Sequence, residues 1–327
     1  MLPRMLLSVC GCFFVLSVVM SLLAFKYSVS AATHTSVLPV SGKQQLTTPE
    51  VNHRQPVFIE PDIPARGFSD LDYRNHIKDL EKKLPHRGFH IVLQKPFVVV
   101  GDEDLATVKA RATRTVQWAV DLLKKDYFTK DPNAIIDVWL FKDKASYEKH
   151  NVELFGSKPT TPYGFYSSSE KALVMNISTG GGTLVHEIVH PFIESNFPAC
   201  PSWFNEGLAS LYEQSTSKNG RIWGNTNWRL RGLQGTIAAK RLGTFGELCS
   251  TTTRQFYNDE RGANYGQARY LCYYLQEKGL LVDYYKSFHK NVAKDPTGYK
   301  TLVQILGNPD MEQFNKDWQA YVMKLRF

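Results

Sequence analysis

The hydrophobic positions divide the chain into an apolar N-terminal segment, a polar stretch without periodicity and a long patterned region. Residues 5–25 are almost continuously apolar, and about 20 such residues suffice to cross a bilayer as a helix. Residues 33–66 are rich in Thr, Ser, Pro, Val and Gln and show no period, which is typical of a linker. Strand-like and helical patterns follow, so we expect one folded domain over residues 67–327.

The patterned region begins with a helix, continues with strands and helices in alternation, and ends in helices. Apolar residues at helical spacing indicate the helices, and short continuous apolar runs indicate the strands. A small mixed β-sheet followed by helices is an α+β arrangement, which is the fold class that we predict. The predicted strands span 90–93, 97–100, 135–141 and a segment within 163–177 centred on 172–175; the predicted helices span 69–84, 102–125, 203–213, 266–277 and 310–325, with one more after the turn at 179–182.

The N-terminal segment, residues 1–32, is predicted to be either a signal peptide or a single-pass membrane anchor. Arg4 precedes the apolar run and favours an N-terminus on the cytoplasmic side. Small residues at 30–32 would suit a signal peptidase, whereas the apolar run exceeds the usual signal length of about 7–15 residues. Both alternatives place the domain outside the cytoplasm, either anchored to the membrane through this segment or released as a secreted or periplasmic protein.

His186 and His190 lie four residues apart in the helix predicted after the glycine turn. This spacing places both imidazoles on one helix face, where both can reach one metal ion at about 2.0–2.1 Å. Glu187 is displaced around the helix, so that it can reach a metal-bound water without being a ligand. The H-E-x-x-H sequence therefore predicts a zinc site with Glu187 as general base. Taken alone the motif is moderately specific, since two histidines and an acid also occur at the edge of core helices.

Glu206 follows His190 by 16 positions, in the sequence P-S-W-F-N-E-G-L-A that begins a second predicted helix. A catalytic zinc ion usually has three protein ligands and one open position, and two histidines with one glutamate form an established ligand set. We therefore predict that His186, His190 and Glu206 bind one Zn2+ ion per chain.

Together, H-E-I-V-H and W-F-N-E-G-L-A resemble the gluzincin metallopeptidases, most closely the peptidase-MA-like group related to the alanyl-type aminopeptidases. The specific motifs cover about residues 160–280. The resemblance implies a zincin-like catalytic domain, with a small mixed sheet packed on the zinc-binding helix and a mostly helical C-terminal part. It also implies hydrolysis of peptide bonds in a peptide or protein substrate by a metal-activated water.

The resemblance also assigns two features outside the ligand set. Tyr265, 59 positions after Glu206, would by position stabilise the oxyanion, where a hydrogen-bond donor counts most; a packing role is the alternative. The strand through 172–175 would border the cleft, and an extended substrate could pair with such a strand edge.

Two departures from the family pattern limit what the resemblance implies. Pro191 directly follows the second histidine, and proline inside a helix removes a hydrogen bond and can kink the helix. The glutamate of the G-x-M-E-N motif, which holds the substrate's free amine in alanyl aminopeptidases, has no counterpart beside Met175 and Asn176. Aminopeptidase specificity is therefore not predicted. The alternative function is a catalytically inactive gluzincin-like interaction domain, tethered at the membrane.

Charge and cysteine content exclude two other kinds of site. The chain has 39 basic and 31 acidic side chains, a net charge of +8, but it lacks long basic runs and nucleic-acid motifs, so no nucleic-acid partner is predicted. Outside the apolar segment lie Cys200, Cys249 and Cys272, without a C-x-x-C pair, so a cysteine zinc site is not expected. One disulfide and one free thiol would be compatible with export, with the pairing left open.

Overall fold

The computed structural model describes residues 67–85, 88–259 and 263–327. These residues belong to the second of two compact units, Pro61–Phe327. The predicted signal or anchor and the predicted linker lie outside the described residues. Within the described part, no helix combines the length and the apolarity that a membrane crossing requires.

A five-stranded mixed sheet forms the N-terminal half of the domain. The strands are β1 (His90–Gln94), β2 (Phe97–Gly101), β3 (Ile136–Phe141), β4 (Gly164–Ser167) and β5 (Ala172–Asn176), and their spatial order is β1-β2-β3-β5-β4. The central pairs β2–β3 and β3–β5 are parallel, whereas β1–β2 and β4–β5 are antiparallel. The predicted strands are therefore confirmed, except that the segment 163–177 contains two antiparallel strands instead of one.

Helices cover both faces of this sheet, which explains why its central strands are apolar at nearly every position. Successive side chains of a strand point to opposite faces. Accordingly Val99 and Val138 join the larger core, together with the helical run from Leu105 to Asp126 and the helix that carries His186 and His190. Val98 and Trp139 join a smaller aromatic core on the other face. The helices on this part of the chain are α1 (Asp70–Lys83), α2 (Leu105–Arg111), a π-helical stretch (Ala112–Gln117), α3 (Trp118–Asp126), α4 (Lys144–Phe155) and α5 (Gly181–Asn196).

The C-terminal part is mostly helical, as predicted, and the α+β fold class is confirmed. The elements are α6 (Ser202–Leu211), the hairpin β6 (Ser215–Lys218) and β7 (Arg221–Gly224), α7 (Arg229–Ala238), α8 (Phe245–Cys249), α9 (Thr253–Tyr257), α10 (Ala263–Glu277), α11 (Leu281–Asn291), α12 (Tyr299–Ile305) and α13 (Met311–Lys324). Its centre is the packing of α6 on α10, where a Cβ added to Gly207 would lie only 3.0 Å from the Ala268 carbonyl oxygen. The absence of a side chain at Gly207 therefore favours this close approach of the two helices.

Candidate metal centre

The histidine helix α5 is held between the sheet and α6 by an apolar face. Leu184, Ile188 and Val189 on this face are fully buried. At the start of the helix, Gly180 has a φ of +108°, a conformation that favours glycine, and a Cβ on Gly182 would lie 2.0 Å from the Glu213 carbonyl oxygen. The glycine turn therefore lets the N-terminus of α5 touch the chain just beyond α6.

Pro191 lies inside α5 and does not end it, because the helix continues for five residues to Asn196. Proline lacks the N–H group that would bond to the carbonyl four residues earlier. His190 directly precedes this position and remains within the helix, on the side that faces α6.

The three predicted metal ligands converge where α5 faces α6. His186, His190 and Glu206 each offer a donor atom, and these atoms lie within 4.8 Å of one another. Glu206 Oε2 lies 3.3 Å from His186 Nε2, and Glu206 Oε1 lies 4.0 Å from His190 Nε2. In a tetrahedral site with bonds of about 2.0–2.1 Å, ligand atoms are about 3.3–3.4 Å apart. One edge of the group already has this length.

The chemistry of the group fits a divalent cation. Glu206 is buried, and its Oε2 oxygen accepts no hydrogen bond from the described residues, an arrangement that costs free energy unless a cation or a donor compensates it. Around the histidines lie the carboxylates of Glu187, Glu206 and Glu213 and the guanidinium of Arg229. With neutral histidines, three negative charges and one positive charge leave −2, which a divalent cation would balance.

Both histidines are oriented by a second contact at Nδ1, which leaves Nε2 for a metal. His190 Nδ1 lies 3.0 Å from Asn205 Oδ1 in a hydrogen bond, and His186 Nδ1 lies 3.2 Å from Glu213 Oε1 as an ion-pair contact without hydrogen-bond alignment. Such contacts fix the ring orientation of histidine ligands. The sequence analysis did not select either partner. Asn205 directly precedes Glu206, and Glu213 follows Glu206 by seven residues, two positions after α6 ends.

Glu213 is itself held by two residues that sequence reasoning did not select. Asn227 Nδ2 donates to Glu213 Oε2 at 3.0 Å. Arg229 donates through Nε to Oε2 at 2.9 Å and through Nη2 to Oε1 at 2.6 Å. Two parallel bonds of this kind are strong and directional, so the Glu213 carboxylate has little freedom beside His186.

The mutual attraction of these buried groups shifts their pKa values strongly in the metal-free protein. Burial opposes the charge of His186, yet the Glu206, Glu213 and Glu187 carboxylates raise its pKa to about 10. Burial also opposes the charge of Glu206 and Glu213. Against that effect, His190 and His186 lower the pKa of Glu206 to about 2, and His186 and Arg229 lower the pKa of Glu213 to about 2. The site therefore favours a positive charge at its centre.

A cleft of about 490 Å³ opens onto this group, and Glu187 and Tyr265 also line it. The Tyr265 ring packs on the Phe256 ring, with 5.1 Å between the ring centres. The Arg229 guanidinium carbon lies 5.0 Å from the centre of the Tyr265 ring. Burial and the charge of Glu206 raise the pKa of the Tyr265 phenol. The phenol is therefore protonated at neutral pH and can donate a hydrogen bond into the cleft.

Tyr257 also lines the cleft and was not selected from the sequence. Its hydroxyl donates to Glu206 Oε1 at 2.5 Å. The signal in the sequence is slight, because Tyr257 lies 51 positions after Glu206 and eight before Tyr265, with no motif of its own.

The strand that borders the cleft is β4, and the prediction that residues 172–175 border it is wrong. β5 is paired on both sides, with β3 and with β4, so it lies inside the sheet. Phe165 and Tyr166 of β4 line the cleft instead. The resemblance pointed to the wrong strand because the segment 163–177 folds back on itself as two antiparallel strands.

The cysteines and the glycosylation sequence take no part in the metal group. Cys200, Cys249 and Cys272 are free thiols. Asn176 precedes Ile177 and Ser178 in an N-glycosylation acceptor sequence, but it is 3% exposed and its amide donates to the Pro162 carbonyl oxygen at 3.0 Å. A glycan on Asn176 would have to displace this end of the sheet.

Comparison with known proteins adds no family assignment. No protein-family model matches the chain, and no curated protein matches it. The gluzincin resemblance therefore stays a prediction that rests on the residues of the site.

Proposed function

We propose that this protein is a zinc-dependent hydrolase of peptide bonds, of the gluzincin type. The observation that carries the proposal is the convergence of His186, His190 and Glu206 within 4.8 Å at the base of a cleft that Glu187 also lines. Two histidines and one glutamate leave a fourth zinc position open, which is the arrangement of catalytic sites.

When bound, zinc would supply Lewis acidity, lowering the pKa of water towards about 7 and polarising the carbonyl group under attack. Glu187 Oε2 lies 3.8 Å from His190 Nε2, so the carboxylate is beside the ligand group without being one of its three members. Glu187 would accept a proton from the attacking water and pass it to the leaving nitrogen. The Tyr265 phenol would donate a hydrogen bond to the developing oxyanion.

The substrate in this proposal is an extended peptide or a protein segment. β4 is the last described strand at its end of the sheet, and its residues Phe165 and Tyr166 line the cleft. A peptide could therefore lie along β4 and pair with it as an added strand. The N-terminal apolar segment would place this reaction on the extracytoplasmic side of a membrane.

Replacement of Glu187 with glutamine tests the proposal. The purified chain is incubated with a complex peptide library, and new peptide termini are identified by mass spectrometry. We expect the wild type to generate new termini. The rate in Glu187→Gln should be at least 100-fold lower, which is the order of a general-base contribution. Zinc content should stay near one ion per chain, because Glu187 is not a ligand.

Glu194→Gln is the matched control, since Glu194 lies on the same helix and lines the same cleft. It should retain hydrolysis. If the wild type and Glu187→Gln behave alike in the library digest, the hydrolase proposal is wrong, and the tethered interaction domain becomes the better account.

A further inference from the structure

The two oxygens of Glu206 have different surroundings. Oε1 accepts the hydrogen bond of Tyr257 at 2.5 Å. Oε2 lies 3.3 Å from His186 Nε2 and accepts no hydrogen bond from the described residues. Both oxygens face the histidines, since Oε1 is 4.0 Å from His190 Nε2. The carboxylate could therefore approach a metal with one oxygen or with both.

The bond from Tyr257 is of the strong kind. A hydroxyl that donates to a carboxylate at about 2.5–2.7 Å forms a charge-assisted bond, roughly twice as strong as a neutral one. Oε1 is therefore held by the phenol, while Oε2 is left for a cation.

Tyr257 is fixed at the end of α9 by contacts independent of Glu206. Thr252 caps this helix, with its hydroxyl accepting from the Gln255 N–H. Ser202 Oγ, at the start of α6, donates to Thr253 Oγ1 at 2.9 Å and links the two helices. The Tyr257 ring also packs against Tyr265, with 6.2 Å between the ring centres. The phenol therefore approaches Glu206 from a braced position.

We propose that Tyr257 is a positioning residue that restricts Glu206 to coordination through a single oxygen, Oε2, and so keeps the fourth metal position open for water and substrate. This inference rests on the proposed zinc site. It gives Tyr257 and Tyr265 separate roles: Tyr257 acts on a metal ligand, whereas Tyr265 would act on the reacting carbonyl.

X-ray absorption spectroscopy of the zinc-loaded chain reports the distances from zinc to its ligand atoms and to the carboxylate carbon of Glu206, and it needs no substrate. Tyr257→Phe removes the hydroxyl and keeps the ring, and the residue is 36% exposed, so the fold should be preserved; circular dichroism and thermal unfolding verify this. Both proteins should show four nitrogen and oxygen neighbours at about 2.0–2.2 Å, because the second carboxylate oxygen would take the place of the water. We expect the Glu206 carboxylate carbon to lie closer to zinc in Tyr257→Phe than in the wild type, since a carboxylate bound through both oxygens brings its carbon nearer to the metal. Hydrolysis should fall by about 10- to 100-fold at unchanged zinc content.

Tyr265→Phe is the matched control, because Tyr265 belongs to the same ring stack but donates no hydrogen bond to Glu206 among the described contacts. Its zinc coordination should equal that of the wild type. Identical coordination in wild type and Tyr257→Phe would overturn the role of Tyr257 and leave the zinc site intact. A wild-type chain that binds no zinc would instead overturn the proposed function together with this inference.

Discussion

Replacing Glu213 with glutamine isolates the contribution of a carboxylate that touches a metal ligand without being one. Glu213 is buried and accepts hydrogen bonds from Asn227 Nδ2 and from Arg229 Nε and Nη2, and His186 Nδ1 lies 3.2 Å from its Oε1. Glutamine has the same shape, but one of its two oxygens becomes an NH2 group. Whichever way the amide turns, this NH2 group faces at least one donor, so at least one contact becomes repulsive.

The expected effect on zinc affinity follows from these contacts. Loss of a partner that orients a metal-bound histidine typically costs 10- to 100-fold in metal affinity, which corresponds to about 1.4–2.7 kcal/mol. The dissociation constant is measured at pH 7 by competition with a chromogenic chelator, on protein shown to be folded by circular dichroism. We expect it to rise by this factor in Glu213→Gln.

Glu194→Gln separates contact from long-range charge. Glu194 also lines the cleft, but it bonds to the Tyr166 hydroxyl at 2.7 Å and lies 3.6 Å from Lys171 Nζ. Removing this exposed charge should change zinc affinity by less than about threefold, as for other surface ion pairs. An unchanged dissociation constant in Glu213→Gln, or equal losses in both variants, would refute the orienting role of Glu213.

Three further predictions concern packing, chemistry and pH. Gly207→Ala should lower the free energy of unfolding in urea by about 1–3 kcal/mol, because the new Cβ would press on the Ala268 backbone. Gly232→Ala is the control, since the space around its Cβ in α7 is open, and it should raise the free energy of unfolding by about 0.5–1 kcal/mol. Equal effects of the two substitutions would contradict this account of the α6–α10 contact. Tyr265→Phe should lower kcat by about 100- to 1000-fold with KM and zinc content unchanged, and a change in KM alone would indicate a packing role. The pKa of His186 is raised from 6.5 to about 10 in the metal-free chain. The protonated imidazole therefore contributes its full stabilisation below pH 6.5, and this contribution is lost as the pH rises to 10, by up to about 1.4 kcal/mol per pH unit. The free energy of unfolding in urea, measured on the chelator-treated chain, should fall over this interval, and a constant value would contradict the prediction.

Periodicity located most of the large elements because their residues face one dominant core. The helix predicted over 102–125 is confirmed as a helical run from Leu105 to Asp126 whose middle section is π-helical. The spacing of apolar residues did not predict the π-helical section. The order of the strands was beyond reach of the sequence, because the position of β5 between β3 and β4 depends on pairing between distant segments. The β6–β7 hairpin and the five-residue helices α8 and α9 carry too few apolar positions to produce a period. α4 was missed because its buried positions include the polar Ser146, His150 and Asn151. α11 was missed although it buries Leu281, Tyr284, Tyr285 and Phe288 at helical spacing.

The candidate ligands could be predicted because their chemistry is encoded in short spacings within two helices. His186 and His190 share one helix face by geometry alone, and Glu206 was found because a three-ligand site needs a third donor. Glu213 and Tyr257 could not be found in this way. Their contacts arise only when the glycine turn docks beside the end of α6 and when α9 folds against the start of α6, and both events depend on tertiary packing.

The central claim is that His186, His190 and Glu206 bind one zinc ion through three ligands, and metal analysis of the purified chain tests it most directly. The wild type, loaded with zinc and then dialysed, is compared with Glu206→Ala by inductively coupled plasma mass spectrometry. The account predicts about one zinc ion per wild-type chain and a large loss of zinc in Glu206→Ala. Equal zinc content in both proteins would remove Glu206 from the site, and zinc-free wild-type protein would contradict the account altogether.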